Sequence, residues 1–148
     1  MIAMMPTAVS AAHVLQLAII ASHLSGYSMP TDPPPVVIEL DTVAMHLYAC
    51  QPPTAIIDEC LSFIGVYYDG QAIAVDAQFT KADPRVPEDA VIVHELVHWL
   101  QYKHGYGGSG CPRKQARENE AYRAENMYLV NYLHLKPLLI PQECPAPT

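Results

Sequence analysis

The polar residues of the N-terminal stretch fall at helical spacing. Ser10, His13, Gln16 and His23 punctuate an otherwise apolar run, and Gly26 suits the position just past a helix end. The pattern predicts a core-packing helix over residues 8–25. A proline-rich linker (PTDPPP) then leads into a short strand at Val36–Leu40, and residues 42–49 suit a short helix before Cys50. The clearest β signal is FIGVYYDGQAIAVD, residues 63–76. Two β-rich runs there flank Asp69-Gly70, a pair suited to a two-residue type I′ turn. Residues 81–88 carry a helix-start signature, with Asp83 as N-cap, prolines in the first turn, and Glu88 and Asp89 at the positive end of the helix dipole. That helix runs through AVIVHELVHWLQYKH and stops at Gly105, with Lys103 and His104 in its last turn. Beyond the glycine-rich loop GYGGSGCP, a final long helix is expected over roughly 112–135, ended by Pro137. The order predicts an α+β fold: an N-terminal helix, a small antiparallel sheet, then two helices. Residues 1–148 read as one domain, with 1–7 and 138–148 as tails.

Composition narrows the function classes. With 148 residues, 51% hydrophobic and 16% charged, the chain can bury a core and is not disordered over most of its length. Its 14 prolines argue against a helical bundle. Fifteen acids against eight bases give a net charge of −7 without any basic run, which argues against nucleic acid or an anionic membrane surface as partner. The N-terminal apolar segment has no Lys or Arg and is broken by His13, Gln16 and His23, so it reads as neither a signal peptide nor a membrane span. Four cysteines lack any CxxC pair. Their even number and loop positions lead us to expect the disulfides Cys50–Cys60 and Cys111–Cys144, against the alternative of four buried thiols. Bridged cysteines place the protein outside the cytoplasm, periplasmic or secreted; free thiols place it inside.

The chemistry lies in His94-Glu95-Leu96-Val97-His98, an HExxH sequence inside an apolar helical run. Residues four apart share a helix face, so both imidazoles can reach one ion, while Glu95 can take a proton from a metal-activated water without itself being a ligand. This pattern arises by chance in roughly 2% of chains of such composition, so a pair of ordinary core histidines is the weaker reading. A tetrahedral site needs a third protein ligand. His104 stands at the spacing of the third histidine in HExxHxxGxxH, but Gln101 replaces the glycine that bends the chain back, so His104 should point away. The final helix offers Glu118, Glu120 and Glu125 instead. Glu118 and Glu120 project to nearly opposite sides of that helix, so both cannot be ligands.

HELVHWLQ followed by EAYR-type sequence resembles the gluzincin metallopeptidases, in particular the minigluzincins and small bacterial HExxH domains, over about residues 87–133. Glu118-Asn119-Glu120-Ala121 matches the ExxA element of gluzincins. The resemblance implies a zincin-like fold and a zinc-dependent peptidase acting on peptide or protein substrates. It implies one Zn²⁺ per chain, held by His94, His98 and Glu118, with Glu95 as general base. It also implies that residues 71–76 either form an edge strand holding an extended peptide or are an ordinary inner strand. Tyr122 stands where many gluzincins carry an acid. Its phenol either bonds the outer nitrogen of His94 or His98 or faces the reaction. Gln101 is either a partner of the metal face or a surface residue, and Trp99 belongs to the core. Two further readings stay open: a non-catalytic zinc-binding module with an inhibitor, immunity or scaffold role, and a latent peptidase closed by its own N-terminal helix or C-terminal tail.

Overall fold

The structure, a computed structural model, describes residues 5–49, 65–68, 72–140 and 144. Its elements in chain order are β1 (Thr7–Ala8), α1 (Ala11–Ser25), β2 (Val36–Leu40), α2 (Thr42–Ala49), β3 (Gly65–Tyr68), β4 (Ala72–Asp76), α3 (Ala77–Ala82), α4 (Glu88–Lys103) and α5 (Cys111–Asn131). The fold is α+β.

The sheet is mixed, which corrects the antiparallel expectation. Its order is β1-β2-β4-β3. β1 pairs antiparallel with β2 (Thr7 opposite Glu39), and β3 pairs antiparallel with β4 (Gly65 opposite Val75). β2 and β4 run parallel, with Val37 opposite Ile73. Parallel neighbours need a crossover connection, and the chain between β2 and β4 is long enough to hold both α2 and β3. Among the described strands β3 thereby stands at the edge, and β4 becomes an inner strand with Ile73 to Asp76 buried. Within the expected run 71–76, the described residues Ala72–Asp76 are therefore not an edge. The Asp69-Gly70 turn and the Cys50–Cys60 bridge fall outside the described residues.

Local signals explain most boundaries. Ser10 caps α1, its Oγ accepting from the His13 N–H at 3.2 Å, and Gly26 ends the helix at φ 85° while its N–H reaches the Ser22 carbonyl. Thr7 and Ala8, expected as tail and helix start, instead add a short strand to β2. α3 was not anticipated. Asp76 caps it by accepting from the Phe79 N–H at 2.9 Å and from the Thr42 hydroxyl at 3.1 Å. Asp83 then lies at the end of α3, paired with Arg85 at 2.9 Å, and does not cap α4, whose N-cap is Pro87. α5 ends at Asn131 rather than near 135. His134 turns the chain at φ 55°, and Leu138 is then fixed by two reciprocal bonds to the Asn126 side chain, at 2.7 and 3.0 Å.

α4 is the central helix. Val14, Leu17 and Ala21 of α1, Val37, Ile73 and Val75 of the sheet, and Ala121, Ala124 and Leu129 of α5 pack in one core with its Ile92, Leu96 and Trp99. Trp99 is fully buried, as its helical spacing suggested. Alternation along β4 sends Ala74 to the opposite face, where it meets Met45 of α2. A Cys111–Cys144 disulfide, spanning 33 positions, ties the start of α5 to the C-terminal segment. Closing a loop of that length stabilises by about 3–4 kcal/mol in the chain-entropy treatment. No helix among the described residues is long and apolar enough to cross a membrane.

Candidate metal centre

His94 and His98 lie one turn apart on α4, and Glu118 faces them from α5. One ligand atom from each lies within 4.8 Å of the others. The Glu118 carboxylate is 2.6 Å from His98 Nε2 and 3.3 Å from His94 Nε2, and the two Nε2 atoms are 3.2 Å apart. Donor atoms held at 2.0–2.1 Å around a tetrahedral ion stand about 3.3 Å apart, so the Nε2–Nε2 separation and the separation of Glu118 Oε2 from His94 Nε2 already have the right length. The contact between Glu118 Oε1 and His98 Nε2 is that of a charge-assisted hydrogen bond, with a proton between the two atoms.

The outer ring nitrogens decide what the inner ones present. His94 Nδ1–H donates to Glu125 Oε1 at 3.0 Å, and His98 Nδ1–H donates to Gln101 Oε1 at 2.9 Å. The Gln101 amide cannot be turned round, because its Nε2 donates to two acceptors, the Arg117 carbonyl at 3.0 Å and Glu120 Oε1 at 2.9 Å. With both Nδ1 atoms committed as donors, two neutral rings aim lone pairs at one point together with a carboxylate. Such a point demands positive charge. Without an ion the rings supply it themselves. Burial alone favours the neutral form of His94, but Glu118 and Glu125 overcome it and push its pKa up to about 10. Burial is likewise outweighed at His98, chiefly by Glu118, and that ring too is raised. Glu118 is pushed up by burial, yet both histidines hold it well below the usual carboxylate range. The donor set fits a borderline-soft divalent ion such as Zn²⁺.

Glu95 does not join the triad. It is buried, and burial raises its carboxyl pKa against the lowering effect of the two histidines. Gly65 of β3 makes room for it. A Cβ there would stand 2.6 Å from Val91 Cγ1 and 3.2 Å from Glu95 Cγ, so only glycine lets the edge strand close on α4 at this point.

The other candidates separate cleanly. Glu120 accepts from the Tyr27 hydroxyl at 2.7 Å as well as from Gln101, away from the triad. Glu125 orients His94 rather than joining Glu118 at the inner atoms. His104 meets the Ser28 carbonyl at 2.9 Å. Tyr122 does not bond either outer nitrogen, since Glu125 and Gln101 take those places. Its ring packs edge-on against His94 with centroids 4.4 Å apart. Burial, then Glu118, Glu125 and Glu95, push the phenol up to about 12, so it keeps its proton at neutral pH. A cleft of about 1330 Å³ opens over the triad, with Glu95, Glu125, Tyr122, Tyr102 and Tyr106 among its lining. Sequence reading missed Gly65, for which a glycine inside a strand run was the available signal. It also missed the orienting role of Glu125, two helical turns past Glu118 on the same face.

The chain matches no protein-family model, no curated protein and no solved structure.

Proposed function

We propose that the protein is a zinc-dependent peptidase of gluzincin type with a zincin-like fold, and that His94, His98 and Glu118 hold one Zn²⁺. The observation that carries this reading is the convergence of two imidazoles fixed from behind and one carboxylate, beside the buried Glu95 carboxylate, which has no hydrogen-bond partner among the described residues. A bound zinc ion would supply Lewis acidity, polarising the scissile carbonyl and acidifying water near neutral pH. Glu95 takes the proton of the attacking water on its carboxylate and delivers it to the leaving nitrogen. The Tyr122 hydroxyl, which keeps its proton, donates a hydrogen bond to the carbonyl oxygen as negative charge develops there. Gly65 and the rest of β3 form the sheet edge beside Glu95, which suits an extended peptide added as a further strand. The Cys111–Cys144 bridge favours an oxidising compartment, periplasmic or secreted.

Glu95→Gln tests the assignment. The amide keeps shape but cannot accept the proton, so the variant should retain one zinc per chain by elemental analysis while peptide hydrolysis falls by ~10²–10⁴-fold. Unchanged hydrolysis in this variant would end the mechanism. A wild type that holds stoichiometric zinc and cleaves nothing across a broad peptide library would make the site a non-catalytic zinc-binding module.

A further inference from the structure

The protein has eight Lys and Arg against fifteen acids, yet four of those eight cations, Arg85, Lys114, Arg117 and Lys136, line the cleft above the triad. They are not equivalent. Arg85 is neutralised by Asp83 through bonds of 3.0 and 2.9 Å. Arg117 donates to the Gly108 carbonyl at 3.1 Å. Lys114 and Lys136 have no side-chain partner among the described residues, whereas Lys103, outside the cleft, is paired with Asp32 at 2.6 Å. We infer that Lys114 and Lys136 make the cleft selective for peptides with acidic side chains close to the scissile bond. This rests on the peptidase reading of the same site.

The placement supports it. Lys114 and Glu118 are four apart on α5 and share a face, so the ammonium group rises from a point about 6 Å along the axis from the third ligand. An extended peptide advances about 3.3 Å per residue, which puts Lys114 within one or two residues of the bond to be cut. Glu118 does not absorb this charge, because both its oxygens face the histidines. Lys136 comes from the segment Lys136–Leu139, which lines the cleft. That segment is held by the Asn126–Leu138 bonds on one side and by the Cys144 bridge beyond it. Two mobile point charges suit carboxylate side chains, which need no fixed bidentate geometry. A long polyanion fits less well, since the cleft floor holds Glu95, Glu118 and Glu125 and the whole protein carries −7.

The test uses three fluorescent peptides of one length with Glu, Gln or Lys flanking a single cleavable bond. Two quantities are measured: kcat/KM on zinc-loaded wild type, and Kd by anisotropy on zinc-loaded Glu95→Gln. The Glu peptide should be favoured over the Lys peptide by about tenfold in both, and added salt should shrink the ratio. Lys114→Glu/Lys136→Glu should reverse the order, and Lys114→Gln/Lys136→Gln should flatten it. Equal binding of the three peptides, or an order unchanged in both double variants, overturns the inference. So does a single-stranded DNA oligonucleotide that displaces the Glu peptide at equal concentration. Acidic preference in binding without any cleavage would remove the peptidase reading and leave this one standing; cleavage without charge preference would do the reverse.

Discussion

α4 meets histidine and carboxylate groups at two places, and only one of them has the makings of a metal centre. At its start, Asp89 bonds His13 at 2.9 Å, a contact as short as those of the outer ring nitrogens of His94 and His98. Those side chains are 40% and 37% exposed, against 9% and 4% for His94 and Glu125. Water can serve every remaining lone pair and proton of the His13–Asp89 pair. At the His94–Glu125 pair it cannot, and both triad rings are also fixed from behind so that each inner nitrogen is held toward Glu118. Proximity of histidine to carboxylate therefore says little. Shared direction, burial and committed outer nitrogens distinguish a site that needs a cation from an ordinary surface pair.

The widest gap between the two places should appear in metal affinity. Glu118→Ala removes the proposed third ligand and should weaken zinc binding by more than the ~10–100-fold typical of losing an outer partner, measured by chelator competition. His13→Ala should leave zinc affinity unchanged. Equal losses at both positions would dissolve the comparison. A larger loss from Glu120→Ala than from Glu118→Ala would move the third ligand.

A smaller effect sharpens the role of the outer nitrogens. Glu125→Leu leaves His94 Nδ1–H without an acceptor in a buried place and should cost ~10–100-fold in zinc affinity or turnover. Glu125→Gln keeps an acceptor oxygen at that position and should recover part of the loss. If the two variants behave alike, Glu125 fills space and does not orient the ring.

What could be read in advance follows the range of the interactions involved. β2 at Val36–Leu40 and α2 at 42–49 rest on local composition and match their expected bounds. His94 and His98 share a face because four residues make one turn, whatever the rest of the chain does. The direction of β4 against β2 was hidden, since it depends on where residues between them travel. α3 was hidden for a similar reason: Asp76 reads as a strand end until Thr42, 34 residues away, completes its cap. Gln101 was undecidable from sequence because its partners, Arg117 and Glu120, come from another helix.

The smallest expected effect lies at the exposed end of α4 and concerns pH. Burial, then a hydrogen bond and charge repulsion from Glu39, raise the Glu88 carboxyl from an ordinary 4.5 to about 7; Asp89 adds to this and Lys81 opposes it. The folded state therefore holds this proton more tightly than the unfolded chain does. Below the unfolded value both states are protonated and the group contributes nothing to the pH dependence. Between about 4.5 and 7 the folded state binds more protons, so stability falls as pH rises, and above the folded value the cost of two facing carboxylates is complete. Glu88→Gln removes that cost while keeping a hydrogen-bonding side chain. Because Glu88 is only partly buried, solvent screening reduces the gain to about 1 kcal/mol, or roughly 3 °C in Tm for a domain of this size. The zinc-loaded variant should match wild type near pH 5 and exceed it by that margin at pH 8, followed by thermal denaturation. A Tm difference that stays constant across this range would show that Glu39 and Glu88 do not share a proton, and that this end of the helix is as indifferent to pH as the exposed His13–Asp89 pair is to zinc.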